Sequence, residues 1–377
     1  MFPREFYSLK NDMDSLERVD KCLRHQQPDR APIDFWASKE IRARLMKHYQ
    51  VDDIEPVLER FGVDFRYIDG PVYVGPPLAV NADGSSEDHF GVPRRIMHYG
   101  QGEYSGTYSE VSSCPLAQVQ SVDEVESYPR WPNPDWFDYG PVRDQARRAR
   151  AAGKVVVFMG DRLNRCAQLK PAMYLRGMEQ ILVDLYHHPE IASAIFRRIA
   201  DFYSEYARRS LEAAEGNVDI LFTGDDFGMQ ENTLISPKKW RAFLRAGFKR
   251  FIDIGHQFGC RVAHHTCGFV TPLIPDFIEC GLDILNPLQP EVRGLDLRAI
   301  KREYGDRICF HGGISIQRTM PYGTPEEIRN EVRHRVEALA HGGGYIFCTA
   351  HDIQADTPLR NIEALIAAYH EFGGCAP

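Results

Sequence analysis

No uninterrupted apolar run in the chain approaches the roughly 20 residues that a helix needs to cross a bilayer, so no membrane span is expected. The opening MFPREFYSLKNDMD is charged and has no apolar core, which argues against a signal peptide. Long basic blocks are also missing. With 45 basic and 53 acidic residues the net charge is −8, and phosphate binding needs clustered Lys and Arg, so nucleic acid is not an expected partner. The Arg-rich stretch 143–150 has helical spacing and reads as a solvated helix face. The nine cysteines are odd in number and lack paired spacing, which points to reduced thiols in a cytoplasm rather than to a disulfide framework. Nucleotide-binding signatures are absent too: no G-x-G-x-x-G follows the first strand, and G-x-x-x-x-G-K-[ST] occurs nowhere.

What is present is an ordinary globular composition, 43% hydrophobic and 26% charged over 377 residues, with a regular alternation of elements. Apolar runs begin near residues 31, 63, 154, 219, 260, 283, 308 and 344, and each is followed by a helical pattern. These include helices over 38–48, 54–61, 172–215 (broken at Pro189), 237–258, 325–340 and 358–372. The stretch 70–136, rich in Gly, Pro and Tyr, interrupts the alternation and predicts inserted hairpins and loops, as a lid, a docking surface or plain surface packing. Eight strand–helix units predict parallel strands joined by right-handed crossovers and closed into a (β/α)₈ barrel. The chain is expected to be one domain over 1–377, with the insertion at about 70–136.

In such barrels the active site lies at the C-terminal ends of the strands. Those ends carry Asp69, Asp161, Asp225 with Asp226, His264 with His265 and Cys267, Asn286 with Gln289, His311, and Cys348 with His351 and Asp352. Asp and Asn also cap helices, which explains Asp69 or Asp161 equally well, but capping does not account for the histidine and cysteine clusters. In CRVAHHTCG (260–268), period-two alternation sends His265 and Cys267 to one side and His264 to the other. By itself an H-x-C reads as a buried thiol beside a hydrogen-bonded core histidine. With Cys348 or His351 at the tip of the last strand, His265 and Cys267 form a candidate three-ligand site for Zn²⁺ with a position left open for substrate.

The segments PDRAPIDFW (28–36), GDDFG (224–228), HHTCG (264–268), DILNPLQP (283–290), FHGGIS (310–315) and GGGYIFCTAHDIQADTP (342–358) together resemble the uroporphyrinogen decarboxylase superfamily. The resemblance spans most of the chain and implies a (β/α)₈ barrel. The arginine motif F-M-R-Q-A-G-R of authentic uroporphyrinogen decarboxylases is missing, since the matching strand reads IDFWASKEIR. The other branch comprises zinc-dependent methyltransferases that work with methyl-corrinoid proteins. It is similar in carrying H-x-C in the fifth strand and a third ligand in a late A-P-G-C-x-I segment. Aligning TAHDIQADTP with that segment places His351 at the usual cysteine position, whereas Cys348 fits the residue type, so both stay open.

The resemblance implies methyl transfer between a small substrate (a thiol, a methyl ether or similar, the latter a demethylation) and a corrinoid (cobalamin) on a partner protein, and, by analogy, a homodimer. Asp226 and His311 are the candidates for orienting the ligands or handling a proton. Two alternatives stand beside this: a metal-free decarboxylase or lyase using Asp226 or Asp69, and a barrel mouth that binds a tetrapyrrole or a partner domain without chemistry.

Overall fold

The structure is a computed structural model that describes residues 12–374 apart from residue 83 and residues 161–164. Seven parallel strands form one sheet in chain order: Phe65–Ile68, Val155–Phe158, Ile220–Gly224, Arg261–His265, Ile284–Leu288, Cys309–Ile314 and Tyr345–Thr349. The sheet curls, and segment 31–37 fills the gap between the last strand and the first. Phe347 N–H donates to Pro32 O (2.8 Å), Asp34 N–H donates to Phe347 O (2.9 Å), and Asp64 N–H donates to Ile33 O (3.0 Å). Parallel bridges pair Ile33 with Phe347 and Ala37 with Ile353. The expected first strand therefore occupies its place in the ring without forming a continuous ladder. Pro32, having no N–H, cannot donate to a ladder, and Ile33 N–H turns to the Asp64 carboxylate instead (3.0 Å).

Alternation along the strands separates two apolar layers. Val155, Val157, Ile220, Phe222, Ala263, Ile284, Ile346 and Cys348 point into the ring, where Trp36 and Phe65 join them. Val156, Phe158, Leu221, Val262, Leu285, Phe310 and Phe347 point outward against the helices.

The helices follow the apolar periodicity, with ends set by local chemistry. Ser38 caps Lys39–Tyr49, and Thr324 with Glu327 forms a capping box on Pro325–Leu339. Two expected helices are broken. The 172–215 pattern divides at Gly177 (φ +94°) as well as at Pro189, giving Leu169–Arg176, Met178–His187 and Pro189–Ala213. The 237–258 pattern divides at Leu244 into Pro237–Phe243 and Arg245–Gln257. An apolar stripe survives a one-residue kink, so periodicity does not register either break.

The insertion holds an antiparallel sheet of Ser86–Glu87, Pro93–Tyr99 and Gly106–Val111, and a pair formed by Val72–Tyr73 with Phe137–Asp138. Phe90 packs against Phe202 and Tyr203 of the long helix, so this part of the insertion is structural. The hairpin tip packs elsewhere. Tyr99 OH meets Gln354 Oε1 (3.5 Å), Lys39 Nζ donates to Thr107 Oγ1 (2.9 Å), and Arg44 lies over the Tyr104 ring. The tip thus leans on the helix Lys39–Tyr49, which follows the first ring position, and on the loop that follows the last, beside the C-terminal ends of the strands.

Ring closure rests on one buried carboxylate. Asp64 accepts from Arg18 Nη1 (2.8 Å), Arg30 Nη1 (2.7 Å), Ser15 Oγ (2.9 Å) and Ile33 N–H. Replacing Asp64 by Ala leaves two buried guanidinium groups short of their counter-charge and is expected to destabilise the fold by about 3–5 kcal/mol. Urea unfolding measures this, and an unchanged midpoint would show that closure does not depend on the cluster.

Candidate functional site

The fifth ring position, Arg261–His265, sets the site. Its alternation sends Ala263 and His265 into the ring and His264 outward, where the ring stacks on Phe227 (5.3 Å) and Nδ1 meets Thr223 Oγ1 (2.8 Å). Burial pushes the His264 imidazole down to about 3, so it is a neutral core group. Past the strand, the loop carrying Cys267 presses on the loop at Gly228. A Cβ on Gly268 would sit 2.4 Å from Gly228 C, and one on Gly228 would sit 2.6 Å from Gly268 C. Gly268 also has φ +85°, which disfavours any side chain. Phe269 N–H to Met229 O (2.7 Å) and Gly268 N–H to Gln289 Oε1 (2.9 Å) complete the clamp.

A chain of hydrogen bonds then fixes the imidazoles. Asp34 accepts at Oδ2 from Trp36 Nε1 (3.0 Å), Tyr67 OH (2.5 Å) and His311 Nε2 (2.9 Å), and at Oδ1 from Phe35 N–H (2.7 Å). With Nε2 donating, His311 has Nδ1 free to accept from Asn286 Nδ2 (2.6 Å). The Asn286 oxygen then faces His265 Nδ1 (2.6 Å), which must donate. The lone pair of His265 is left on Nε2, 3.3 Å from Cys267 Sγ. This is the tautomer that a metal ligand needs. Burial, reinforced by the positive charge of Arg165, holds the His265 pKa well below the ordinary histidine range. Burial pushes the Cys267 thiol up to about 12, with Asp226 adding to the shift, so a neutral thiol faces His265 Nε2.

His351 joins this pair. Ligand atoms of His265, Cys267 and His351 lie within 4.8 Å of one another, and the two imidazole rings are 5.3 Å apart. His351 Nδ1 accepts from Asp352 N–H (2.8 Å), so this neutral ring must give up that contact, or present Nδ1 itself, to offer a lone pair elsewhere. Cys348, the other candidate third ligand, lies elsewhere. It projects into the ring interior and groups with Asp34 and His311. That second cluster has no imidazole lone pair to give, since both His311 nitrogens are committed to Asn286 and Asp34.

Asp226 lies beside the trio. It accepts from Cys267 N–H (3.3 Å), lies 3.8 Å from His265 Nε2 and forms an ion pair with Lys170. Burial opposes its charge, but the Lys170 ammonium, helped by the Cys267 N–H, holds its carboxyl well below the usual range. Neighbouring Asp225 has a different task, accepting from the N–H groups of Gln168, Leu169 and Lys170 at the start of the Leu169–Arg176 helix. Asp69 is exposed, and Asp161 lies outside the described residues. Lys170, Arg165, Asp34 and Trp36 were not anticipated. Asp34 did leave a trace in the sequence, as a lone carboxylate inside the apolar run APIDFWA.

A model of the uroporphyrinogen decarboxylase (URO-D) family matches residues 96–372. The chain belongs to the URO-D family. It is 27% identical over 200 residues to the methylated-thiol–coenzyme M methyltransferase of Methanosarcina mazei, covering 53% of this chain and 50% of the relative. It is 28% identical over 179 residues to a methylcobamide:CoM methyltransferase of Methanosarcina barkeri, covering 47% of this chain and 49% of the relative. A uroporphyrinogen decarboxylase of Psychromonas ingrahamii is 34% identical over 241 residues, covering 61% of this chain and 62% of that protein. The matches to the two methyltransferases thus span about half the length of those relatives. Among solved structures, a methyltransferase from Methanosarcina mazei superposes with a TM-score of 0.69 at 17% identity, over 96% of this chain and 99% of the other. That likeness establishes the shared barrel.

Gly268→Ala tests the clamp. The added Cβ strains a positive φ and collides with backbone, at an expected cost of about 1–3 kcal/mol. The Cys267 loop is expected to lift, so alkylation of the Cys267 peptide, followed by mass spectrometry, should speed up. An unchanged alkylation rate would mean that the close approach does not position the thiol.

Proposed function

We propose that this chain is a zinc-dependent methyltransferase that moves a methyl group between a small substrate and a corrinoid carried by a partner protein. The reading is carried by the convergence of the His265, Cys267 and His351 donors within 4.8 Å, with His265 in a ligand-ready tautomer. The donor set suits the ion, since one thiolate and two imidazoles leave a fourth tetrahedral position free. Bound there, zinc would supply Lewis acidity, activating a thiol or polarising a methyl ether at neutral pH.

The chain's own residues do the rest. His265 arrives neutral because burial and the nearby Arg165 charge disfavour protonation. Asn286 and His311, tied back to Asp34, keep its Nε2 facing Cys267. Both nitrogens of His311 are engaged, so it orients rather than shuttles protons. Asp226, kept ionised by Lys170, places a negative charge beside the donors and steadies the Cys267 backbone. Trp36, 5.9 Å from His265 and 5.4 Å from His311, packs against both rings. The hairpin tip at Tyr99 suits a partial cover of the mouth.

A metal-free decarboxylase is the competing reading, favoured by the relative from Psychromonas ingrahamii. Elemental analysis separates the two. Wild type is expected to hold about one zinc per chain. Cys267→Ala should lose it, His351→Ala should bind far more weakly, and Cys348→Ala should keep it. Stoichiometric zinc in Cys267→Ala, or loss in Cys348→Ala but not in His351→Ala, overturns the ligand assignment.

The hydrogen-bond chain gives a graded prediction. Asn286→Ala should lower zinc affinity by about 10–100-fold, because the His265 tautomer and ring angle are no longer held. Competition against a chromogenic chelator measures this, and an affinity equal to wild type would remove Asn286 from the site.

A further inference from the structure

Among the described residues, one cation in the barrel mouth has no counterpart. Arg165 follows the third ring position, and its side chain lies across the tip of the Ile220–Gly224 strand. A Cβ on Gly224 would stand 2.6 Å from Arg165 Cδ, 3.1 Å from Arg165 Nη1 and 3.1 Å from His265 Cβ. The missing side chain at Gly224 therefore makes room for the guanidinium immediately beside His265. Its Nε is sealed from solvent and has no hydrogen-bond partner, while the residue as a whole keeps partial contact with solvent. No hydrogen-bond acceptor or ion-pair partner holds the guanidinium among the described residues.

The carboxylates that feel its charge are otherwise placed. Asp226 is engaged by Lys170, and Asp352 lies 4.0 Å from His351 Nδ1. Buried charges in proteins are ordinarily paired, because an isolated guanidinium in low dielectric is costly. A cation kept unpaired beside a reactive centre is therefore set for a ligand. Among the described residues, the carboxylates whose charge reaches Arg165 are Asp352 and Asp226, and neither forms an ion pair with it.

We propose that Arg165 forms an oxyanion subsite, and that the small substrate carries an acidic group such as a carboxylate, held by this guanidinium while its reacting end reaches the His265–Cys267–His351 trio. The substrate class rests on the methyltransferase reading, whereas the anion subsite itself does not require metal. Arginine suits the task because its planar fork pairs with carboxylate oxygens two at a time.

Two measurements keep the subsite and the zinc reading separable. In metal-free protein at fixed ionic strength, thermal unfolding is followed with succinate or with uncharged succinamide. Succinate should raise Tm and succinamide should not, and Arg165→Met should abolish the difference while Arg165→Lys keeps part of it. Without ligand, Arg165→Met should unfold no lower than wild type, because it removes an unpaired charge. In zinc-loaded protein, calorimetry should show 3-mercaptopropionate binding at least about tenfold more tightly than 2-mercaptoethanol, an advantage lost in Arg165→Met. Equal effects of succinate and succinamide on wild type overturn the subsite, as does an anion preference that survives in Arg165→Met. A lower Tm for unliganded Arg165→Met would make the residue structural and likewise overturn it. If the protein takes up no zinc, yet succinate stabilises it through Arg165, the subsite stands and the zinc reading falls.

Discussion

The buried contact between Asp64 and the guanidinium groups of Arg18 and Arg30 holds segment 31–37 in the ring, and the site depends on that segment being there. Segment 31–37 pairs too sparsely to form a ladder, so side-chain charge supplies what backbone hydrogen bonds do not. It carries Asp34 and Trp36, which sit under His311 and His265. The same closure that completes the barrel therefore also anchors the hydrogen-bond chain behind the candidate metal ligands.

That chain converts a distant carboxylate into a choice of tautomer. Each member has one way to satisfy its neighbours: Asp34 only accepts, so His311 donates from Nε2, Asn286 donates to Nδ1 of His311, and His265 must donate from Nδ1. Burial then keeps both His265 and the Cys267 thiol uncharged. In the proposed zinc site the pair would exchange one proton for the ion, and His351, still accepting from Asp352, is the donor that would have to be released.

The mouth differs from the core in how its charges are matched. Asp64 and the Arg176–Asp184 pair are fully compensated and structural. Around the candidate site the matching is partial, with Lys170 on Asp226 and nothing within bonding range of Arg165 among the described residues. Incomplete pairing of this kind costs stability and is expected where a ligand completes the set.

Much of the fold was legible in the chain, because strand and helix periodicities are local and the seven strand runs from 63 onward coincide with ladders. The H-x-C step was legible for the same reason, since alternation alone sends His265 and Cys267 to one side and His264 to the other. Tertiary structure decided what depends on distance across the ring. His351 rather than Cys348 reaches the pair, because residue 348 still points into the strand layers while residue 351 lies beyond the strand's end. Asp34, Lys170 and Arg165 were invisible as candidate-site residues, because each is brought beside the trio by the fold, next to residues far away in sequence. Sequence spacing determines which way a side chain leaves its own strand, but the curl of the sheet determines what it meets.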